Sequence, residues 1–199
     1  MFKPALTVKV ALVIAGLSLL TACSHFNMGT MWAMRNVDFK TVDPTVVRLA
    51  LGLPDGADFE SVDLELKLSK GDELLMAETI AIEVITTGPE VNRVGFPLEV
   101  HNGVVLKIPD DQVAVIAEMR RRMANLERQE IDGSLDIGIK SRFVPAWIAK
   151  VCTGDTPRRL KVKSWIMIDE AQGYLPLLKD STLGKLIGST SAKFCQQEG

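Results

Sequence analysis

The stretch Val62-Asp63-Leu64-Glu65-Leu66-Lys67-Leu68 alternates apolar and charged residues without a break. Side chains of an extended strand point to opposite faces in turn, so these residues read as a strand with one buried face and one wet face. Ser69-Lys70-Gly71-Asp72 follows, with the residue types of a tight turn. Leu74, Met76, Ile80, Ile82 and Val84 then keep the period of two. Residues 61–86 therefore read as one long antiparallel hairpin, stopped by Gly88-Pro89.

The same period extends in both directions. Upstream, Thr45, Val47, Leu49, Leu51 and Leu53 share a face before the turn Pro54-Asp55-Gly56. Downstream, Val94, Phe96, Leu98 and Val100 read as a strand, with Pro97 suggesting an edge or a bulge. Asn102-Gly103 has the composition of a two-residue hairpin turn with positive φ at both positions, and Val104, Leu106 and Ile108 bring the chain back. Pro109-Asp110-Asp111 then opens a different pattern. Val113, Ile116, Met119, Met123 and Leu126 recur at spacings of three and four, which predicts an amphipathic helix near 110–129 with Asp110 or Asp111 as its cap. Leu135, Ile137 and Ile139 resume alternation, and Leu160, Val162, Ile166 and Ile168 form a last long strand. Gly173 precedes a short apolar run, Tyr174 to Leu178, and Ser181 is expected to cap a short helix through Ile187. About seven strands joined mostly by short turns predict a mainly β domain over residues 44–199. The expected architecture is an antiparallel two-sheet sandwich, immunoglobulin- or transthyretin-like, with one inserted helix. A single antiparallel sheet with the helix packed on one face, an α+β arrangement, fits the same pattern.

The first residues do not belong to that domain. Lys3 and Lys9 precede an apolar run from Val10 to Leu20, and Thr21 and Ala22 lead to Cys23. Charged, apolar and small residues in that order make a secretory signal. The apolar run is shorter than the ~20 residues a spanning helix needs. Leu20-Thr21-Ala22-Cys23 resembles the lipobox of bacterial lipoproteins. The resemblance implies that residues 1–22 are a signal peptide, that Cys23 is lipidated and that its new amine is acylated. It also implies an outer-membrane anchor facing the periplasm of a Gram-negative cell, because Ser24 stands where Asp favours inner-membrane retention. Residues 23–43 then form a lipidated cysteine and a short tether. Without residues 1–22 the chain has 177 residues and a net charge of −4.

The remaining cysteines, Cys152 and Cys195, are an even pair in an oxidising compartment and read as a disulfide. A full chain of 199 residues with 47% hydrophobic and 24% charged side chains is globular rather than disordered. A net charge of −2 supplies no basic field for nucleic acid. Two histidines, His25 and His101, leave little for a histidine-dependent triad, and no GxSxG or HExxH occurs. Gly184-Lys185 lacks the spacing of a phosphate loop. Asp132 and Asp136 flank a strand start without forming a recognisable catalytic pair. Arg120, Arg121, Arg122 and Arg128 share the helix with Glu118, Glu127 and Glu130, the composition of a solvated face laced by pairs such as Glu118–Arg122. His25, Met28, Met31 and Met34 recur every third residue and are soft donors suited to Cu(I), a minor candidate against an apolar stripe. The expectation is a protein that is not an enzyme and needs no metal or cofactor. It is anchored in a membrane by lipid and acts as a binding or assembly module for an envelope protein partner. A carrier of lipid or another apolar ligand is the alternative, ahead of a small periplasmic hydrolase or a copper-binding protein.

Overall fold

A computed structural model describes residues 40–131, 133–153, 160–182 and 195. The described chain is mainly strand, in two antiparallel sheets. The alternating stretch forms β2 (Phe59–Lys70), and its return forms β3 (Glu73–Ala81). The third strand of this sheet is β6 (Ser134–Phe143), giving the order β3-β2-β6. Leu64, Leu66 and Leu68 of β2 stand opposite Ile139, Ile137 and Leu135 of β6, so all six share the inner face.

The expected hairpin breaks at its end. Ile82 donates its amide to the Val62 carbonyl at 2.8 Å, and the chain then crosses to the other sheet as β4 (Glu83–Ile85). A register shift after Leu68 puts Ser69, not Lys70, beside Leu74. That bulge turns Leu74 outward to 58% exposure, while Leu75 and Met76 pack inward.

The second sheet is built around β1 (Arg48–Leu53), between β5 (Asn102–Lys107) and β7 (Lys161–Met167). Its edges are β4 and β8 (Leu175–Thr182), in the order β4-β5-β1-β7-β8. Two sheets rather than one replace the α+β alternative, although a helix does lie on one face of the smaller sheet. That helix is α2, its predecessor in the chain being α1 (Pro89–Val94). A 3-10 turn at Asp110–Gln112 leads into α2 (Val113–Arg128). Ile116 and Met119 are buried against Leu66, Leu68 and Ile80, as the spacing predicted. Burying side chains of that size stabilises the packing by about 1.5–3 kcal/mol each. Neither aspartate caps the helix. Asp110 instead lies 3.1 Å from Lys107 Nζ, and no side chain bonds at the cap residue, Gln112.

Three further expectations need correction. Val94–Val100 is not a strand: Val94 ends α1, Gly95 takes φ 63°, and Pro97 accepts a 2.8 Å hydrogen bond from the Val100 amide. Its alternation has a different cause. Phe96 lies over Gly103 and Val100 over Gly52, where the missing side chains leave room for them. Asn102-Gly103 is not a turn but the start of β5, without positive φ. Asn102 Nδ2 donates to the Pro54 and Ala57 carbonyls at 3.2 and 2.5 Å, so the residue fastens the 54–57 loop. Ser181 caps no helix but lies buried in β8, opposite Val162; residues 183–187 are outside the described residues.

Pro145 opens α3 (Pro145–Cys152), an element the strand pattern did not predict. Proline suits a first helical turn, where its missing N–H is not needed. Trp147, Ile148 and Val151 bury one face of α3 with Leu53, Val104, Phe143 and Val162. Phe143 stacks between Phe59 and Trp147, at centroid distances of 4.6 and 4.7 Å. Cys152 at the end of α3 is bonded to Cys195, with Cα atoms 5.8 Å apart.

Candidate functional site

The inner face of the smaller sheet is not evenly covered. α2 packs over β2 and β3, so Leu66 is fully buried, while Ile137 directly opposite it is 54% exposed. Ile139, opposite Leu64, is 56% exposed. These two isoleucines lie on β6, which among the described residues pairs with β2 alone and leaves its other edge open. Beside them is an apolar groove of about 110 Å³, lined from both sheets by Val47, Leu49, Leu106, Val62, Leu64 and Ile139, among others. Lys107 stands at its rim and is paired with Asp110. Small-molecule sites usually measure ~300–1,000 Å³, so this groove has room for side chains rather than for a whole lipid. The outer face of the same sheet is polar. Lys140 Nζ and Glu65 Oε1 are 2.5 Å apart, and this hydrogen bond holds the Glu65 carboxyl below its ordinary range.

Three other clusters carry charge. The first is a groove of about 250 Å³ bounded by Gly52, Glu99, Val100, Lys161 and Lys163. Lys163 donates to Glu99 at 2.5 Å, which lowers the Glu99 pKa and takes up the lysine's charge. The second joins α1 to β1. Arg48 is buried and donates through Nη1 to the Thr45 and Val47 carbonyls at 2.5 and 3.0 Å. Its Nε lies 4.0 Å from Glu90 Oε2. Burial, and next the Glu90 charge, raise the nearby Tyr174 pKa, so its hydroxyl stays neutral. This group ties α1 to the sheet. The third is the arginine face of α2. Glu118 receives hydrogen bonds from Arg121 at 2.7 and 2.8 Å and from Arg122 at 2.9 Å, and its pKa falls to about 2. The expected Glu118–Arg122 pair is present, and Arg120 Nη2 donates to the Val42 carbonyl at 2.6 Å. Arg128 bonds Asn125, and Glu127 pairs with Lys40.

The structure disperses the remaining sequence candidates. His101 is exposed just before β5, and Asp136 is exposed on β6. Asp132 lies outside the described residues, as do Cys23, His25, Met28, Met31 and Met34. On α2, Met119 is fully buried and Met123 partly buried against the smaller sheet. Among the described residues no cluster of His, Cys, Asp and Glu could hold a metal ion, and no helix is long and apolar enough to cross a membrane. The sequence placed Ile137 and Ile139 on a strand's apolar face. Their exposure depends on how far α2 reaches, which alternation does not encode. Compared with protein-family models, curated proteins and solved structures, the chain matches none of them.

Proposed function

We propose that the chain is a non-catalytic binding or assembly module of the Gram-negative envelope, anchored by lipid on Cys23 in the outer membrane and facing the periplasm. In this reading the two sheets are the halves of a sandwich, with α2 packed on the inner face of the smaller one. The observation that carries the binding role is the row Ile137–Ile139, half exposed beside an apolar groove and a strand edge that pairs with nothing among the described residues. Exposed apolar surface next to unpaired backbone suits strand addition, where main-chain bonds give affinity and side-chain pockets give specificity. The anchor rests on Leu20-Thr21-Ala22-Cys23 directly after an apolar run. Several acyl chains, at about 0.8 kcal/mol per buried methylene, would hold such a domain firmly on a bilayer. The groove's size argues against the carrier reading.

Metabolic labelling with palmitate tests the anchor. The wild-type chain should take up label and fractionate with the outer membrane, and Cys23→Ala should do neither. Unlabelled wild-type protein, or wild-type protein recovered from the cytosol, would overturn the proposal.

A further inference from the structure

We propose that β6 pairs with the β6 of a second copy of this chain, antiparallel, about a twofold axis through Gly138. This rests on reading the β6 edge as a docking surface, though not on where the chain is anchored. The sequence Asp136-Ile137-Gly138-Ile139-Lys140 is complementary to its own reverse. With the axis at Gly138, Ile137 of one copy faces Ile139 of the other, twice over, and Asp136 faces Lys140, also twice.

Both faces agree with this register. Ile137 and Ile139 stand opposite Leu66 and Leu64 on the inner apolar face, while Asp136 and Lys140 stand opposite Lys67 and Asp63 on the outer polar face. Facing residues of an antiparallel pair share a face. The paired isoleucines would therefore extend the apolar row, and the paired charges would extend the wet one. Shifting the register by one residue sets the apolar face of one copy against the polar face of the other. An axis at Asp136 or Lys140 opposes like charges. An axis at Ile137 leaves Asp136 facing Gly138, and one at Ile139 leaves Lys140 facing Gly138; the Gly138 axis alone pairs Asp136 with Lys140 and Ile137 with Ile139, while it sets Leu135 against Ser141. Gly138 brings no side chain to the axis, and a twofold contact uses the same strand from both copies. Edge strands are commonly blunted by shortness, by proline or by charged side chains. β6 is ten residues long without proline, and its charges Asp136 and Lys140 match a reversed copy of itself.

Cysteine crosslinking in intact cells that express the full-length protein tests the pairing. Gly138→Cys places two thiols at the axis, where the Cα atoms of facing residues lie within the ~4.4–6.8 Å that a disulfide spans. Ser134→Cys places them four residues away on each strand, about 27 Å apart at ~3.4 Å per residue. Mild oxidation should give at least about tenfold more covalent dimer from Gly138→Cys than from Ser134→Cys. Asp136→Cys and Lys140→Cys chains expressed together should crosslink to each other, and neither should crosslink to itself, because its own thiols would lie about 14 Å apart at ~3.4 Å per residue. Absence of dimer from Gly138→Cys, equal yield from Ser134→Cys, or a crosslink to a different protein would each overturn the pairing. The last result would leave the docking role of this edge standing, and palmitate labelling reads the anchor independently of all three.

Discussion

Gly103 shows how one missing side chain directs a segment that reads otherwise in sequence. A Cβ built there would lie 2.6 Å from Phe96 Cδ2, well inside van der Waals contact. The ring cannot simply swing clear, because it packs edge-on against Trp165 at a centroid distance of 5.2 Å. Gly103→Ala should therefore destabilise the protein by about 2 kcal/mol, the usual cost of overpacking. Denaturant unfolding of a double-mutant cycle checks the cause. In the Phe96→Ala background the alanine at 103 should cost much less, since residues in contact are not additive. An unchanged cost in both backgrounds would place the strain in the backbone. The same residue explains why Asn102-Gly103 misleads. The pair has turn composition, but glycine is there for a close approach and asparagine for two carbonyl bonds.

Among the elements, α2 combines a buried stripe that sequence predicts with an exposed face that responds to pH. Glu118 is held at about 2 against an ordinary value of 4.5, first by the Arg121 hydrogen bond and then by Arg122. Because the folded pKa is depressed, the stabilisation is fully present above about 4.5 and is lost as pH falls through about 2. A carbon-13 titration of the side-chain carboxyls should find Glu118 with a midpoint near 2, moving upward in R121Q/R122Q. An ordinary midpoint in the wild type would show that the pairs do not persist in solution, where salt and water weaken exposed pairs. Elements were legible wherever one face alone is buried. The alternation of β2 and the three-and-four spacing of α2 are both of this kind. α3 was not, since eight residues rich in apolar side chains give helix and strand almost the same signature. Its signal was Pro145 at the first turn. The split of the hairpin between two sheets at Ile82 was also hidden, because both sheets require the same alternation.

At the scale of the whole molecule, the disulfide divides the fold unequally. Cys152 and Cys195 are 43 residues apart, and the span between them contains β7 and β8. β2, β3, β6 and α2 all lie outside that loop. Closing a loop of this length contributes about 4 kcal/mol by the chain-entropy estimate, less where the unfolded chain retains structure. The bond also fixes the end of α3, whose Trp147, Ile148 and Val151 fill the core beneath β1 and β5. Replacing both cysteines in C152S/C195S should lower the unfolding free energy by about 3–4 kcal/mol. Hydrogen exchange should show the loss of protection concentrated in β7, β8 and α3, with β2 and α2 the last to open. The smaller sheet, which carries the Ile137–Ile139 edge, should then keep its structure under mild reduction. Dimer formation by Gly138→Cys requires oxidant, so its persistence in the C152S/C195S background is the direct measure. A dimer yield that collapses with the native disulfide would mean that the edge is organised from the larger sheet, through Phe143 and the aromatic stack it shares with Phe59 and Trp147.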